Sequence, residues 1–142
     1  MDLYDKIFKT NVRSVYLLTN LAIPHLIETK GNVVNVSSML EAALDHFTRC
    51  TAYELASKKV RVNGINPGGV QTNLLHASGL DKKTVNYLME KGGKFHPLGR
   101  IGTVDDTSEA IMFLASDKAS FITGQSLFVD GGLGVNSPII AK

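Results

Sequence analysis

Two short stretches of this chain carry residues whose types and spacing could do chemistry. In Asn35-Val36-Ser37-Ser38, two hydroxyls follow a run of β-branched residues. They would stand just past the end of a strand, where they could donate to a substrate oxygen or simply close a turn. In Asn66-Pro67-Gly68-Gly69-Val70-Gln71-Thr72, a proline and two glycines interrupt a second Val/Ile run. The glycines let backbone approach a ligand closely, and Thr72 offers a hydroxyl and a possible helix cap, with a plain turn as the alternative. The histidines, His25, His46, His76 and His96, show no metal-ligand spacing to a carboxylate or cysteine and are read as solvated.

The elements that must position these residues follow from periodicity. From Leu3 to about Thr29 the residues Phe8, Val12, Val15, Thr19 and Ala22 fall at helical spacing, with Ile7, Leu18 and Leu21 widening the stripe. This predicts one long helix, kinked at Pro24 and stopped at Gly31. Asn32 to Ser37 predicts a short buried strand, Ala42 to Lys58 a helix, and Val60 to Ile65 a second strand. A helix from Asp81 to Lys91 follows a polar stretch. Thr103 with Asp106 predicts a capping box opening a further helix, and Gln125 to Val129 a third strand. Connections too long for hairpins argue for a parallel sheet with helices on both faces, an α/β class. Such sheets bind ligands at the carboxyl ends of their strands, where both chemical stretches lie.

Composition excludes several alternatives. The chain has 142 residues, 44% of them hydrophobic, and 15 basic against 13 acidic residues give a formal charge of +2 without a basic stripe. Nucleic acid is therefore disfavoured as a partner. Cys50 is the sole cysteine, no apolar run approaches a membrane span, and the first residues lack the apolar core of a secretory signal. The expectation is a soluble, cytoplasmic protein.

Taken together, four pieces resemble the short-chain dehydrogenase/reductases: Thr10-Asn11-Val12, Asn35-Val36-Ser37-Ser38, Arg61 to Gly68 with Thr72, and Pro97-Leu98-Gly99-Arg100 followed by Ile122-Thr123-Gly124-Gln125 and Val129-Asp130-Gly131-Gly132. The likeness runs along the whole chain and is nearest to animal members similar to 3-oxoacyl-[acyl-carrier-protein] reductases. It implies the carboxyl-terminal half of a Rossmann-like, doubly wound parallel sheet. The divisions would be a long helix (1–30), the serine strand, helix and Pro-Gly strand (31–72), a substrate lid (73–102), and a closing helix and strand (103–142). It further implies hydride transfer between NAD or NADP and a small-molecule alcohol or carbonyl. The family's catalytic set is an Asn, a Ser and a Tyr-x-x-x-Lys. Asn11, 27 residues before Ser38, matches the first, and Ser38 matches the second. Asn35, Pro67, Gly68, Val70 and Thr72 match cofactor-binding positions.

The chain departs from this pattern between Ser38 and Ala42. By the resemblance, Ser37 occupies the tyrosine slot and Glu41 the lysine slot, with only Met39 and Leu40 between Ser38 and Glu41. A carboxylate there would raise the pKa of a nearby phenol instead of lowering it. Tyr53 and Lys58 are five residues apart, not four, and Tyr53 is read as a surface residue. No Gly-rich phosphate-binding fingerprint occurs in the 142 residues. Weak cofactor binding and little or no activity are therefore expected of a truncated chain. The alternative is a non-catalytic module that forms a homo-oligomer, or joins full-length relatives, through helices 3–29 and 42–58. An unpaired strand edge at Asn32–Ser37 would invite aggregation. The segment Asn73 to His96, with Leu74, Leu75, Leu80, Val85, Tyr87, Leu88 and Met89, resembles the family's substrate lid and suggests an apolar pocket wall or an amphipathic helix on the core.

Overall fold

The computed structural model describes residues 2–38, 42–77 and 79–135. Helix α1 (Asp2–Phe8) runs through a π-helical stretch, Lys9–Arg13, into α2 (Ser14–Thr29). Then come β1 (Asn32–Val36), α3 (Ala42–Ala56), β2 (Arg61–Pro67), α4 (Leu74–Ala77), α5 (Lys82–Lys91), α6 (Val104–Ala115) and β3 (Ser126–Val129). The three strands form one parallel sheet in the order β1-β2-β3. Val36 pairs with Ile65, and Pro67 with Val129, so the strands end together at one sheet edge.

Alternation along the strands sorts the core into two layers. Val33 and Val62 meet Ala52 and Leu55 of α3 and Ile23 and Leu26 of α2. Val34 and Ile65 point the other way, onto Leu114, Ala110 and Ile111 of α6. Helices therefore cover both faces, as the sequence pattern predicts. The crossovers β1-α3-β2 and β2-α6-β3 advance the same way along the sheet over opposite faces, so they are of opposite hand, and one departs from the near-universal right-handed rule. The long connection from 68 to 103 supplies the chain length for this change of face.

Local chemistry explains the helix ends. The first long helix ends where expected, but Lys30, not Gly31, takes the left-handed conformation (φ 52°), and the Gly31 N–H closes the end on the Leu26 carbonyl at 3.0 Å. Asp81 caps α5 by accepting from the Thr84 N–H at 3.0 Å. Thr103 and Asp106 form the capping box of α6, and Arg100 grips the same Asp106 carboxylate at 2.6 and 2.7 Å. Thr103→Ala is expected to cost about 1 kcal/mol, read from the urea midpoint. The Arg100 hydrogen bonds, with those from Thr103, hold the Asp106 carboxyl well below the ordinary carboxylate range. Its stabilisation is complete above the unfolded aspartate value, about 3.9, and fades as pH falls toward the lower folded value. Asp106→Asn should therefore melt earlier than wild type at neutral pH and converge with it in acid.

The stripe on the first long helix is only half covered. Thr19 is buried, whereas Leu18 and Leu21 are 67% and 73% exposed. Helical periodicity reports that a face is apolar, not what covers it.

Candidate active site

The carboxyl ends of β1 and β2 and the loop after β2 enclose a cavity of about 420 Å³ lined by Ser37, Ser38, Pro67, Gly68, Val70 and Thr72, with Thr107 and Ile111 of α6 on the far side. β1 delivers the serines: the Ser37 N–H donates to the Ile65 carbonyl at 2.9 Å, continuing the ladder one step past the strand. Pro67 ends β2, and the Gly68 N–H donates to Val129 at 3.1 Å. The chain then doubles beside Gly102, with Gly102 N–H donating to Gly69 at 2.9 Å and Gln71 N–H to Gly102 at 2.8 Å. These bonds leave the Val70 N–H and C=O without partners among the described residues. Thr72 accepts from the Leu74 N–H at 3.3 Å and keeps its own hydroxyl hydrogen to donate.

Five of the seven candidate site residues therefore share one cavity, Ser38 among them. Asn35 and Asn11 do not line it. Asn35 faces the α3 layer, buried, and donates to the Thr48 hydroxyl at 2.9 Å. Asn11 is exposed within the π-helical stretch, a distortion of the kind found often at functional sites. Tyr53 is 90% exposed, as expected of a surface residue. The position assigned to the missing lysine, Glu41, lies outside the described residues.

One expectation is overturned. His96 is not solvated: it is 6% exposed, with Nδ1 at 2.8 Å from the Gly92 carbonyl and Nε2 at 3.2 Å from the Gly69 N–H. Since the Gly69 N–H can only donate, Nε2 accepts and Nδ1 carries the hydrogen, which makes the ring a neutral bridge. The ring ties the turn after α5 to the loop that builds the cavity wall. A lone histidine between glycine-rich turns carries no local signal of burial: Gly92 is four residues away, but Gly69 is brought to it by a distant segment. His96→Phe keeps the bulk but removes both ring hydrogen bonds, to the Gly92 carbonyl and from the Gly69 N–H, and should cost about 1–3 kcal/mol in a urea titration.

Thr107 was also missed. Its hydroxyl is buried without a partner among the described residues, beside the cavity. Among the described residues no three His, Cys, Asp or Glu side chains gather as a metal site, and no helix is long and apolar enough to cross a membrane.

A parallel sheet wound by helices on both faces, with hydroxyls and a Pro-Gly loop at its carboxyl edge, defines a Rossmann-like ligand-binding fold. A family model described as enoyl-(acyl carrier protein) reductase matches residues 1–134. L-xylulose reductase of Caenorhabditis elegans is 34% identical over 148 residues, covering 93% of this chain and 57% of that protein. A 3-oxoacyl-[acyl-carrier-protein] reductase of Thermotoga maritima is 31% identical, with 92% and 56% covered. The crystal structure of a short-chain dehydrogenase/reductase of unknown function from Caenorhabditis elegans, with cofactor, superimposes with a TM-score of 0.86 at 35% identity, over 94% of this chain and 56% of that one. The chain belongs to the short-chain dehydrogenase/reductase family. It spans a little over half the length of the curated relatives it matches.

Proposed function

We propose that this chain carries the substrate and nicotinamide side of an NAD- or NADP-dependent alcohol/carbonyl oxidoreductase site, and that these 142 residues alone are catalytically silent or nearly so. The observation that carries the reading is the cavity shared by Ser38, Pro67, Gly68, Val70 and Thr72. The residues present fit one end of the cofactor. The unpartnered N–H and C=O of Val70 complement a carboxamide, and Thr72 has a hydrogen to donate beside them. They do not fit the pyrophosphate, for which the chain has no Gly-rich strand-to-helix turn. Bound here, a nicotinamide would supply or accept hydride. The chain's own part is to hold the substrate oxygen at the Ser38 hydroxyl and orient the ring against Pro67 and Gly68, with Asn11 the candidate for ordering a proton relay. Among the described residues no tyrosine lines the cavity, and Tyr87, four residues before Lys91 on α5, faces solvent, so the proton has no efficient donor here.

Calorimetric titration tests the binding half of this reading. NADPH or NADH should bind far more weakly than to a complete family member, and Thr72→Ala and Gly68→Ala should weaken it further. No heat at any concentration would overturn the assignment of this wall.

The second reading is a non-catalytic association module, favoured by the apolar side chains left bare on α1, α2 and α3: Ile7, Leu18, Leu21 and Tyr53 are half or more exposed. A ring contact between Tyr16 and Phe47, centroids 5.4 Å apart, joins α2 to α3 as one surface. Large apolar patches of this kind favour burial against a second copy or a full-length relative. A strictly monomeric, well-folded species in sedimentation would count against this reading. A soluble, cytoplasmic setting accords with both readings.

A further inference from the structure

A second cavity, of about 520 Å³, lies on the other side of the Pro-Gly loop, between that loop and α5. Its size falls within the usual range for small-molecule sites, roughly 300–1,000 Å³. The two cavities share Gly68, Val70, Thr72 and Leu74 as lining, so whatever fills the second is a neighbour of the Ser38 hydroxyl. Helix α5 supplies one wall because it is anchored twice. Its start is capped by Asp81, and Val85, 1% exposed, is sunk in the core. Leu88 and Met89, three and four residues on, then fall on the same side and face the cavity. At the helix end, a Cβ on Gly92 would stand 2.7 Å from Ile101 Cδ1, so glycine there lets the Ile101 side chain lie against the cavity without shifting.

The lining is chemically one-sided. Leu75, Leu88, Met89, Phe95, Ile101 and Leu133 contribute carbon and sulfur, and among the described residues no charged side chain lines it. Of the two polar side chains, His96 has both ring nitrogens engaged, on Gly92 and Gly69, and Thr72 already accepts from Leu74. A polyol placed here would lose water from several hydroxyls and find only the Thr72 hydroxyl and, at the edge shared with the first cavity, the Val70 backbone groups, a heavy penalty. An alkyl chain gives up nothing and gains burial.

We infer that this cavity holds the apolar chain of the substrate, so that the oxidoreductase site serves a hydrophobic ketone or its secondary alcohol and not a sugar or polyol. The inference rests on the oxidoreductase reading and narrows it. It separates this chain from the relative named as an L-xylulose reductase, whose named substrate is a polar sugar.

The test uses the full chain with isotope-labelled methionine methyls and a series of ketones: pentan-2-one, heptan-2-one and nonan-2-one. Binding should tighten about four-fold per added methylene, saturate at one equivalent, and shift the Met89 methyl while leaving Met112, exposed on α6, unchanged. Xylitol and ribitol should shift neither. Leu88→Gln should weaken nonan-2-one about ten-fold or more, roughly the loss of one buried aliphatic side chain, and Leu80→Gln, in the same segment but outside the cavity, should not. Circular dichroism checks that both variants fold, and the wild-type series stands without them. Affinity independent of chain length, polyol binding as tight as ketone binding, or shifts at Met112 in place of Met89 would overturn the inference. A parallel NADPH titration separates it from the reading beneath it. Ketone binding without any dinucleotide binding sinks the oxidoreductase reading but leaves the cavity's ligand class standing. Dinucleotide binding without ketone binding overturns this inference alone.

Discussion

Mixed with NADPH or NADH and a ketone, the 142-residue chain is expected to oxidise the nicotinamide no faster than a buffer control. General acid/base catalysis alone contributes about 10²–10⁴-fold, and among the described residues no tyrosine lines either cavity: Tyr87, four residues before Lys91 on α5, is 57% exposed and outside both. Between Ser38 and Ala42 the chain offers only Met39, Leu40 and Glu41. A carboxylate stabilises a protonated phenol, so Glu41 would act against the transfer. Tyr53 cannot stand in, since it is 90% exposed on α3. Weak grip on the phosphates adds a further loss in affinity, which a saturating cofactor concentration would separate from the chemical step. Turnover within ten-fold of an ordinary enzyme's roughly 1–10³ s⁻¹ would contradict the proposal.

A large stability loss is expected from Gly68→Ala. A Cβ at Gly68 would lie 2.8 Å from Asp130 Cα, 2.9 Å from its Cβ and 3.2 Å from its carbonyl oxygen. These are mainly backbone atoms and cannot swing aside. Asp130 is itself pinned, since its carboxylate accepts the Gly132 N–H at 2.9 Å and the Gly134 N–H at 2.7 Å. Either β3 or the end of β2 must shift, for a cost of about 1–3 kcal/mol, and the shift displaces the wall that carries Val70 and Thr72. Gly64→Ala is the control in the same strand. Its added Cβ would meet nothing closer than 3.5 Å, an ordinary contact. It should be neutral or slightly stabilising, because it lowers the entropy of the unfolded chain. Urea midpoints of the two variants give the comparison, and an equal effect from both would show that the close approach of β2 to Asp130 is not the cause.

Much of this protein is legible in its sequence, because the deciding interactions are local. A capping box needs only Thr103 and Asp106 three residues apart, and it forms as read. Strands rich in valine and isoleucine alternate by backbone geometry, so the strand at Asn32 and the parallel α/β arrangement followed from the pattern. The same period-two geometry puts Asn35 on the layer of Val33, toward Thr48 and away from the cavity, once β1 is known to keep a regular pleat that far.

What the tertiary structure decided is whatever depends on residues far apart in the chain. The identity of His96 says nothing about Gly69, yet the loop after β2 and the turn after α5 meet there and turn an ordinary histidine into a buried bridge. The apolar stripe on the first long helix was visible in the sequence, but which part of it is covered depends on where α3 and β1 stop. The sequence by itself determined the family and the capping of the helices, since each is a matter of residue type at short spacing. The fold alone decided that one glycine-rich loop would stand between two cavities, one with serines and one with leucines. Burial is a property of neighbours, and neighbours are chosen by topology.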